Sequence, residues 1–279
     1  MSNEYGKLYI VATPIGNLGD ITLRALETLK SVDIIAAEDT RHTVKLLNHY
    51  DIKTHLISHH EHNEDQSANG IVQLLEQGKN IALVTDAGMP CISDPGYKLV
   101  SLARERGYYV TCLPGASAVP AAIALCGLDA GRFRFEGFLP KNNTQRLELL
   151  EDIAHDGCAA VIYEAPHRLQ KTAAELAQIF HDRRIAIIND ISKLHEKVAI
   201  YEAGELNSGL EGWNLKGEFV IVIERGEKRQ QQSYAELTLK EHVAHIMAQE
   251  GAKKMDAIKK VAKLRGLKKS EVYDETIDM

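Results

Sequence analysis

Three apolar runs of strand length, Leu8–Ala12, Ile81–Thr85 and Tyr109–Leu113, each stop at a turn built of glycine, proline or alanine. Helix-period sequence follows each turn. Runs this short and this continuously apolar must be covered on both faces, which a parallel sheet between helices provides. Asp33–Ala37 and Thr54–Ser58 read as further strands. Asp20–Ser31, Thr40–His49, Asp65–Gln77, Pro95–Arg106 and Ser117–Leu125 read as the intervening helices. In the first of these, Leu23, Leu26, Leu29 and Val32 share one stripe, and Asp20 is placed to cap it. The rhythm predicts an α/β chain with a mostly parallel sheet.

Composition shifts at Gly127–Arg134, and a second α/β series begins. It comprises strand Phe133–Phe138, helix Thr144–Ala154, strand Ala159–Tyr163, helix Arg168–Phe180 and strand Arg184–Ile188. Lys197–Glu202 and Glu218–Ile223 lie close in sequence and read as an antiparallel pair. The expected organisation is an N-terminal α/β domain over 1–128, a second α/β domain over 129–226, and a linker with a basic helical tail over 227–279. The linker is the polar stretch Glu227–Ser233, and two or three short helices follow between Thr238 and Tyr273. Lys253, Lys254, Lys259, Lys260, Lys263, Arg265, Lys268 and Lys269 crowd this tail, opposed within the run only by Asp256. That run is either a solvated helical face or a contact to RNA phosphates.

A length of 279 residues suits two domains and an appendage, and a net charge of −6 gives no global pull on nucleic acid. Cys91, Cys112, Cys126 and Cys158 form no CxxC pair and read as small buried hydrophobes in a reducing compartment. The first residues show no signal-peptide pattern, and no apolar run is long enough to span a bilayer, so a soluble cytoplasmic protein is expected. No GxGxxG follows the first strand and no GxxxxGK[ST] occurs, which argues against nicotinamide dehydrogenases and P-loop enzymes.

The three turns carry the chemistry. The first holds Pro14, Gly16 and Asn17, the second Asp86, Ala87, Gly88, Met89 and Pro90, and the third Gly115, Ser117 and Ala118. Each alone is a connection. Together, at the carboxyl ends of strands in one sheet, they describe a crevice for a flat cofactor, with Asp86 available to accept from a ribose or an amine. Ser93-Asp94-Pro95-Gly96 then opens the next helix. Glu38, Asp39, Thr40, Arg41 and His42 form a dense polar group at another strand end, suited to a site and to helix capping alike. His59 to Glu64 has spacing that could suggest metal ligands, but a polar loop is the stronger reading and no metal is expected. Tyr163 to Arg168 leads from a strand into a helix toward the expected interdomain cleft, and Lys193 with Glu196 offers a lysine–carboxylate pair.

These segments resemble the tetrapyrrole methylase fold, the class III S-adenosyl-L-methionine (SAM)-dependent methyltransferases, over roughly residues 6–226. Carrying segments are Leu8–Leu18, Ala36–His42, His60–Glu64, Val84–Pro90, Ser93–Tyr97 and Phe135–Pro140. The resemblance implies SAM bound between two domains, with the three turns as its contacts. It also implies 2′-O-methylation of a cytidine ribose in the decoding region of 16S rRNA, with the folded small ribosomal subunit as substrate, and a homodimer. Where the family reads Arg-Glu-Leu-Thr-Lys, this chain has Asn189-Asp190-Ile191-Ser192-Lys193, so only the lysine and a shortened acid are kept.

For such a transfer Glu38, Asp39 and His62 are candidate proton acceptors, Arg41 belongs to the same polar site, and Lys193 is placed to stabilise a developing alkoxide. Two other readings stand beside this one. One is a methylase of the same fold acting on a corrin precursor or a diphthamide intermediate. The other is a ribosome-binding factor without catalysis.

Overall fold

The computed structural model describes residues 5–227 and 237–279. Nearly all of the segment expected to be a linker, 228–233, lies outside these residues. The chain divides into two compact units, residues 1–227 and 228–279.

The larger unit contains two five-stranded sheets. The first consists of β1 (Lys7–Val11), β2 (Ile34–Ala37), β3 (His55–Ser58), β4 (Ile81–Val84) and β5 (Tyr109–Leu113), all parallel, in the order β3-β2-β4-β1-β5. Alternate side chains explain its two faces. Leu8, Ile10, Ala36, Ile81 and Leu83 pack on α3 (Glu64–Glu76) and α4 (Tyr97–Glu105), while Val11, Ile35, Ala37, Ala82 and Val84 pack on α1 (Leu23–Ser31) and α2 (Thr40–His49). The connection leaving β1 crosses one face and the connection leaving β4 crosses the other. Neighbouring strands whose connections diverge leave a crevice at their carboxyl ends, where ligands bind in open α/β sheets.

The second sheet consists of β6 (Phe133–Phe138), β7 (Ala159–Glu164), β8 (Arg184–Asn189), β9 (Lys197–Glu202) and β10 (Phe219–Ile223), in the order β6-β7-β10-β8-β9. One face carries Ile162, Ile187 and Ile221 against α6 (Asn143–Asp156), α7 (Leu169–Ile179) and α8 (Leu206–Gly209). The other carries Val161, Ile188, Val220 and Val222 against α5 (Ala118–Leu125), through Val119 and Ala122. Thus α5 leaves the first sheet and covers the second, which ties the two together.

Several sequence expectations change. Thr22, not Asp20, caps α1, its hydroxyl accepting from Ala25 N at 3.1 Å. The residues before it form a 3-10 turn over Leu18–Asp20 that Asn17 caps, and Asp20 instead accepts from the Ser192 hydroxyl of the second series. The helix expected from Pro95 starts at Tyr97, because Gly96 sits at φ +129°. Strands β9 and β10 do not pair: β8 lies between them and is antiparallel to both. Their closeness in sequence reflects a short loop-and-helix connection over one strand. Cys126 and Cys158 are buried as expected, but Cys91 is only half-buried and Cys112 is exposed, because β5 is an edge strand.

The smaller unit consists of α9 (Leu239–Glu250), α10 (Lys254–Arg265) and α11 (Lys269–Glu275), closed around Val243, Ile246, Ile258, Val261 and Val272. Thr238 and Glu241 form a reciprocal capping box at the start of α9. No helix among the described residues is long and apolar enough to cross a membrane.

Two arginines shape the segment after β6. Arg146, with its side chain 3% exposed, bonds Glu175 through both Nε and Nη2 at 2.7 Å and donates to Pro140 O at 3.2 Å, while Arg168 donates to Leu139 O at 2.8 Å. Removing one partner of a buried pair strands the other charge, at a cost of about 3–5 kcal/mol. Arg146→Leu is expected to lower the unfolding free energy by that amount in urea denaturation, with Arg146→Leu/Glu175→Leu recovering much of it. A single variant as stable as the parent would contradict this role.

Candidate active site

The turns after β1 and β4 are joined by backbone. Thr13 N donates to Gly88 O at 2.9 Å and Gly88 N donates to Thr13 O at 3.0 Å. The Thr13 hydroxyl reaches Thr85 O at 3.1 Å. Gly88 adopts φ +87°, and a Cβ there would meet Ile15 Cγ2 at 3.3 Å. The third turn is equally tight, since a Cβ on Gly115 would lie 2.8 Å from the Ala12 Cβ. Glycine is therefore favoured at Gly88 by its left-handed backbone and required at Gly115 by close approach.

A cleft of about 340 Å³ opens at these turns. From the first sheet's side it is lined by Ile15, by Ala87, Gly88 and Met89, by Ile92, Ser93 and Asp94, and by Ser117 and Ala118. From the second sheet's side come Phe138, Tyr163 to Pro166, Ile191, and Gly217 to Val220. Of the residues expected to contact a cofactor, Ala87, Gly88, Met89, Ser117 and Ala118 line this cleft. Pro14, Gly16, Asn17, Asp86, Pro90 and Gly115 are not among the lining residues. Asn17 caps the 3-10 turn, and Gly16 is pressed against Lys193 so closely that a Cβ would lie 2.4 Å from its Cγ.

The polar group at the end of β2 faces the end of β4. Glu38 Oε2 accepts from the Thr85 hydroxyl at 2.5 Å and from Asp86 N at 3.3 Å. Asp86 accepts from Asp39 N at 3.2 Å and lies 3.6 Å from His42. Burial raises the proton affinity of Asp86, and the Glu38 charge adds to this while His42 opposes it. Asp94 is pushed up to about 6, by burial first and then by the Glu38 charge. Asp39 differs: its carboxylate grips Arg41, accepts from Arg41 N at 2.8 Å and is held well below the usual carboxylate range by that guanidinium. Asp39 thus starts α2, and the Arg41 side chain is 89% exposed.

The histidine loop lies beside this group. His62 is exposed, with its ring 6.0 Å from that of His60. His59 is buried and bonded to the Ser67 hydroxyl at 2.7 Å, and burial lowers its pKa. Glu64 Oε1 accepts from Gly96 N at 2.9 Å, holding the loop that carries Asp94. Among the described residues no three metal-ligating side chains gather.

Lys193 enters from the second series. Its Nζ bonds Asp190 at 2.8 Å and Glu218 at 3.0 Å. Burial works against its charge, but the two carboxylates outweigh that and hold the proton more tightly than usual. The altered segment is well bonded: Asn189 Nδ2 donates to Lys216 O at 3.1 Å, and Asp190 and Ser192 sit at φ +53° and +65°. Sequence reasoning missed Ile92, Asp94, Phe138 and Gly217–Val220 as lining, whereas the expected approach of the Tyr163 segment to the cleft is seen in Tyr163–Pro166. Asp94 and Phe138 stood in quoted motifs without a role, and β10 carried no motif at all.

The model of one family, the Tetrapyrrole (Corrin/Porphyrin) Methylases, matches residues 7–207, and the chain belongs to that family. It is 43% identical over 276 residues to the ribosomal RNA small subunit methyltransferase I of Bacillus subtilis (strain 168), covering 98% of this chain and 94% of that one. It is 40% identical to the protein of that name in Escherichia coli O157:H7, covering 99% and 96%. Among solved structures it is similar to diphthine synthase (TM-score 0.60, 15% identity, 78% and 90% covered) and to cobalt precorrin-4 methyltransferase (TM-score 0.59, 17% identity, 78% and 94% covered). These structural likenesses carry the fold.

A left-handed residue other than glycine costs about 1–2 kcal/mol. Gly88→Ala is expected to lower the unfolding free energy by that much, measured by urea denaturation. An unchanged midpoint and slope would show that the joined turns tolerate a side chain.

Proposed function

We propose that this chain transfers a methyl group from SAM to the 2′-hydroxyl of a cytidine in the decoding region of 16S rRNA, acting on the small ribosomal subunit as a homodimer. The relatives named as ribosomal RNA methyltransferases match along the whole chain at 40–43% identity, whereas the corrin and diphthine enzymes share 15–17%. The observation that carries the reading is the cleft itself, formed where three small-residue turns of one sheet face the strand ends of another.

The lining fits the cofactor's chemistry. SAM, when bound, supplies an electrophilic methyl on a sulfonium centre. A cation beside a flat base suits a pocket with carboxylates at Asp94, Glu164 and Glu218, aromatic rings at Phe138 and Tyr163, and bare backbone at Ala87–Gly88 and Ser117–Ala118. Ile15, Met89, Ile92 and Phe138 exclude water from the reacting atoms. The protein's contribution is chiefly positioning, which at best is worth about 7–11 kcal/mol. We assign Asp39 and Arg41 to fixing the start of α2, and Glu38 and Asp86 to the polar wall behind Asp94. Lys193 is neutralised by two carboxylates, so we assign it to bracing the Gly16 turn instead of stabilising an alkoxide. We assign no step of the transfer to His62, which is exposed and does not line the cleft.

We assign phosphate binding to the basic run of the smaller unit. Lys253, Lys268 and Lys269 are exposed and make no ion pair among the described residues. Replacing all three by glutamate is expected to weaken binding to small subunits and flatten its salt dependence, by about 0.7–0.9 in log–log slope for each phosphate no longer neutralised. An unchanged slope would remove the tail from the RNA interface.

The reading as a whole is tested by incubating the protein with labelled SAM and undermethylated small subunits, then identifying the modified nucleoside by mass spectrometry. The expected product is 2′-O-methylcytidine. Measurable SAM binding without transfer to these particles would reject the proposed acceptor.

A further inference from the structure

The two sides of the cleft differ in charge. On the first sheet's side, Glu38, Asp86 and Asp94 have only the His42 ring beside them as a basic partner among the described residues, and the charge of Arg41 is taken up by Asp39. On the second sheet's side the balance reverses. Glu164, Glu175 and Glu218 are matched by Arg168, Arg146 and Lys193. Lys141 and Lys171 are exposed cations beyond that balance.

Two stretches far apart in sequence are bonded into one lip beside the cleft. Arg168 Nη2 donates to Leu139 O at 2.8 Å, and Arg146 Nη1 donates to Pro140 O at 3.2 Å and Lys141 O at 3.3 Å. Asn143 Oδ1 accepts from Arg146 Nη2 and from Lys171 Nζ, both at 2.8 Å. Phe138, just before the first stretch, and Pro166, at the start of the second, line the cleft. Lys141, His167 and Lys171, all exposed, are thereby gathered beside it.

The lip is prepared for an anion. Three carbonyl oxygens of the loop, which would repel one, are taken up by the two guanidinium groups. Lys171 Nζ gives one of its three donors to Asn143, and Lys141 forms no ion pair among the described residues. Glu175 is held below the usual carboxylate range by Arg146 first, with the charges of Lys171 and Arg168 adding to it, so this acid is already outnumbered by cations. Exposed ammonium groups with donors to spare, on a loop fixed from beneath, suit the phosphodiester oxygens of a nucleic-acid strand.

We propose that Lys141, His167 and Lys171 form the surface on which phosphates of the acceptor RNA strand dock, holding the strand so that one ribose enters the cleft past Phe138; this rests on the function proposed above. Phe138 is 57% exposed and stands between this lip and the cleft. Phosphate contacts fix position and register without reading sequence, so the lip places the strand and does not select the base. These residues belong to the larger unit and are distinct from the basic run of the smaller one.

The test compares the full-length parent with Lys141→Gln/Lys171→Gln, with the charge-preserving Lys141→Arg/Lys171→Arg, and with Lys30→Gln/Lys79→Gln as a control. Lys30 and Lys79 are exposed and precede β2 and β4, at the strand ends away from the cleft. SAM affinity is measured by calorimetry. Binding to undermethylated small subunits is followed across a salt series, and single-turnover transfer across a range of particle concentrations. The glutamine variant of the lip is expected to bind SAM like the parent. Its log–log salt slope should flatten by about 0.7–0.9 for each of two phosphates no longer neutralised, with several-fold more particles needed for half-maximal transfer. The arginine variant should restore both properties, and the control should change neither. An unchanged slope in the glutamine variant, an equal flattening in the control, or a parallel loss of SAM affinity would overturn the proposal. A parent that binds SAM and the particles but does not methylate them would instead remove the functional reading beneath it, and the salt slope would still judge the lip.

Discussion

The exchange of backbone hydrogen bonds between Thr13 and Gly88, at 2.9 and 3.0 Å, decides where the rest of the site falls. It locks the turns after β1 and β4 together at the place where the connections of the first sheet diverge. With that register set, Gly115 must approach Ala12, and α5 is launched from the third turn toward the second sheet. The segment from Asp190 to Lys193 closes the other side, with Ser192 bonded to Asp20 and the Lys193 stem against Gly16. One short backbone contact thereby organises four loops from two sheets.

Charge within the cleft follows from which carboxylates receive partners. Glu164 and Glu218 have an arginine and a lysine, and Asp39 has Arg41, so each of these acids is balanced by a cation. Glu38, Asp86 and Asp94 share Thr85, backbone amides and one histidine, and the burden of unbalanced charge falls on the buried members. Like charges at close quarters raise proton affinity, and groups shifted in this way cluster at functional sites. The overall charge of −6 gave no hint of this local arrangement, because it is a property of partners and not of composition.

Much of the first sheet was legible because its strands are continuous apolar runs and its turns are rich in glycine and proline. The turns that border the cleft were legible for the same reason: small residues after a buried strand have few other uses. The strand order of the second sheet was not legible, since Lys197–Glu202 and Glu218–Ile223 carry no signal for the strand that inserts between them. Helix starts at Asp20 and Pro95 were misplaced where a 3-10 turn and a left-handed glycine intervene. Glu38, Asp39 and Arg41 were found together, but which acid reaches the cleft depends on side-chain direction. Asp94 emerged from three-dimensional neighbours that lie far apart in sequence.

The central claim is that the cleft between the two sheets is where the cofactor sits. A crystal structure of the protein with S-adenosylhomocysteine tests it most directly. The account predicts density against the backbone of Ala87–Gly88 and Ser117–Ala118, bounded on the far side by Phe138 and Tyr163. Ordered cofactor bound elsewhere, or a cleft closed by its own side chains in the complex, would contradict it.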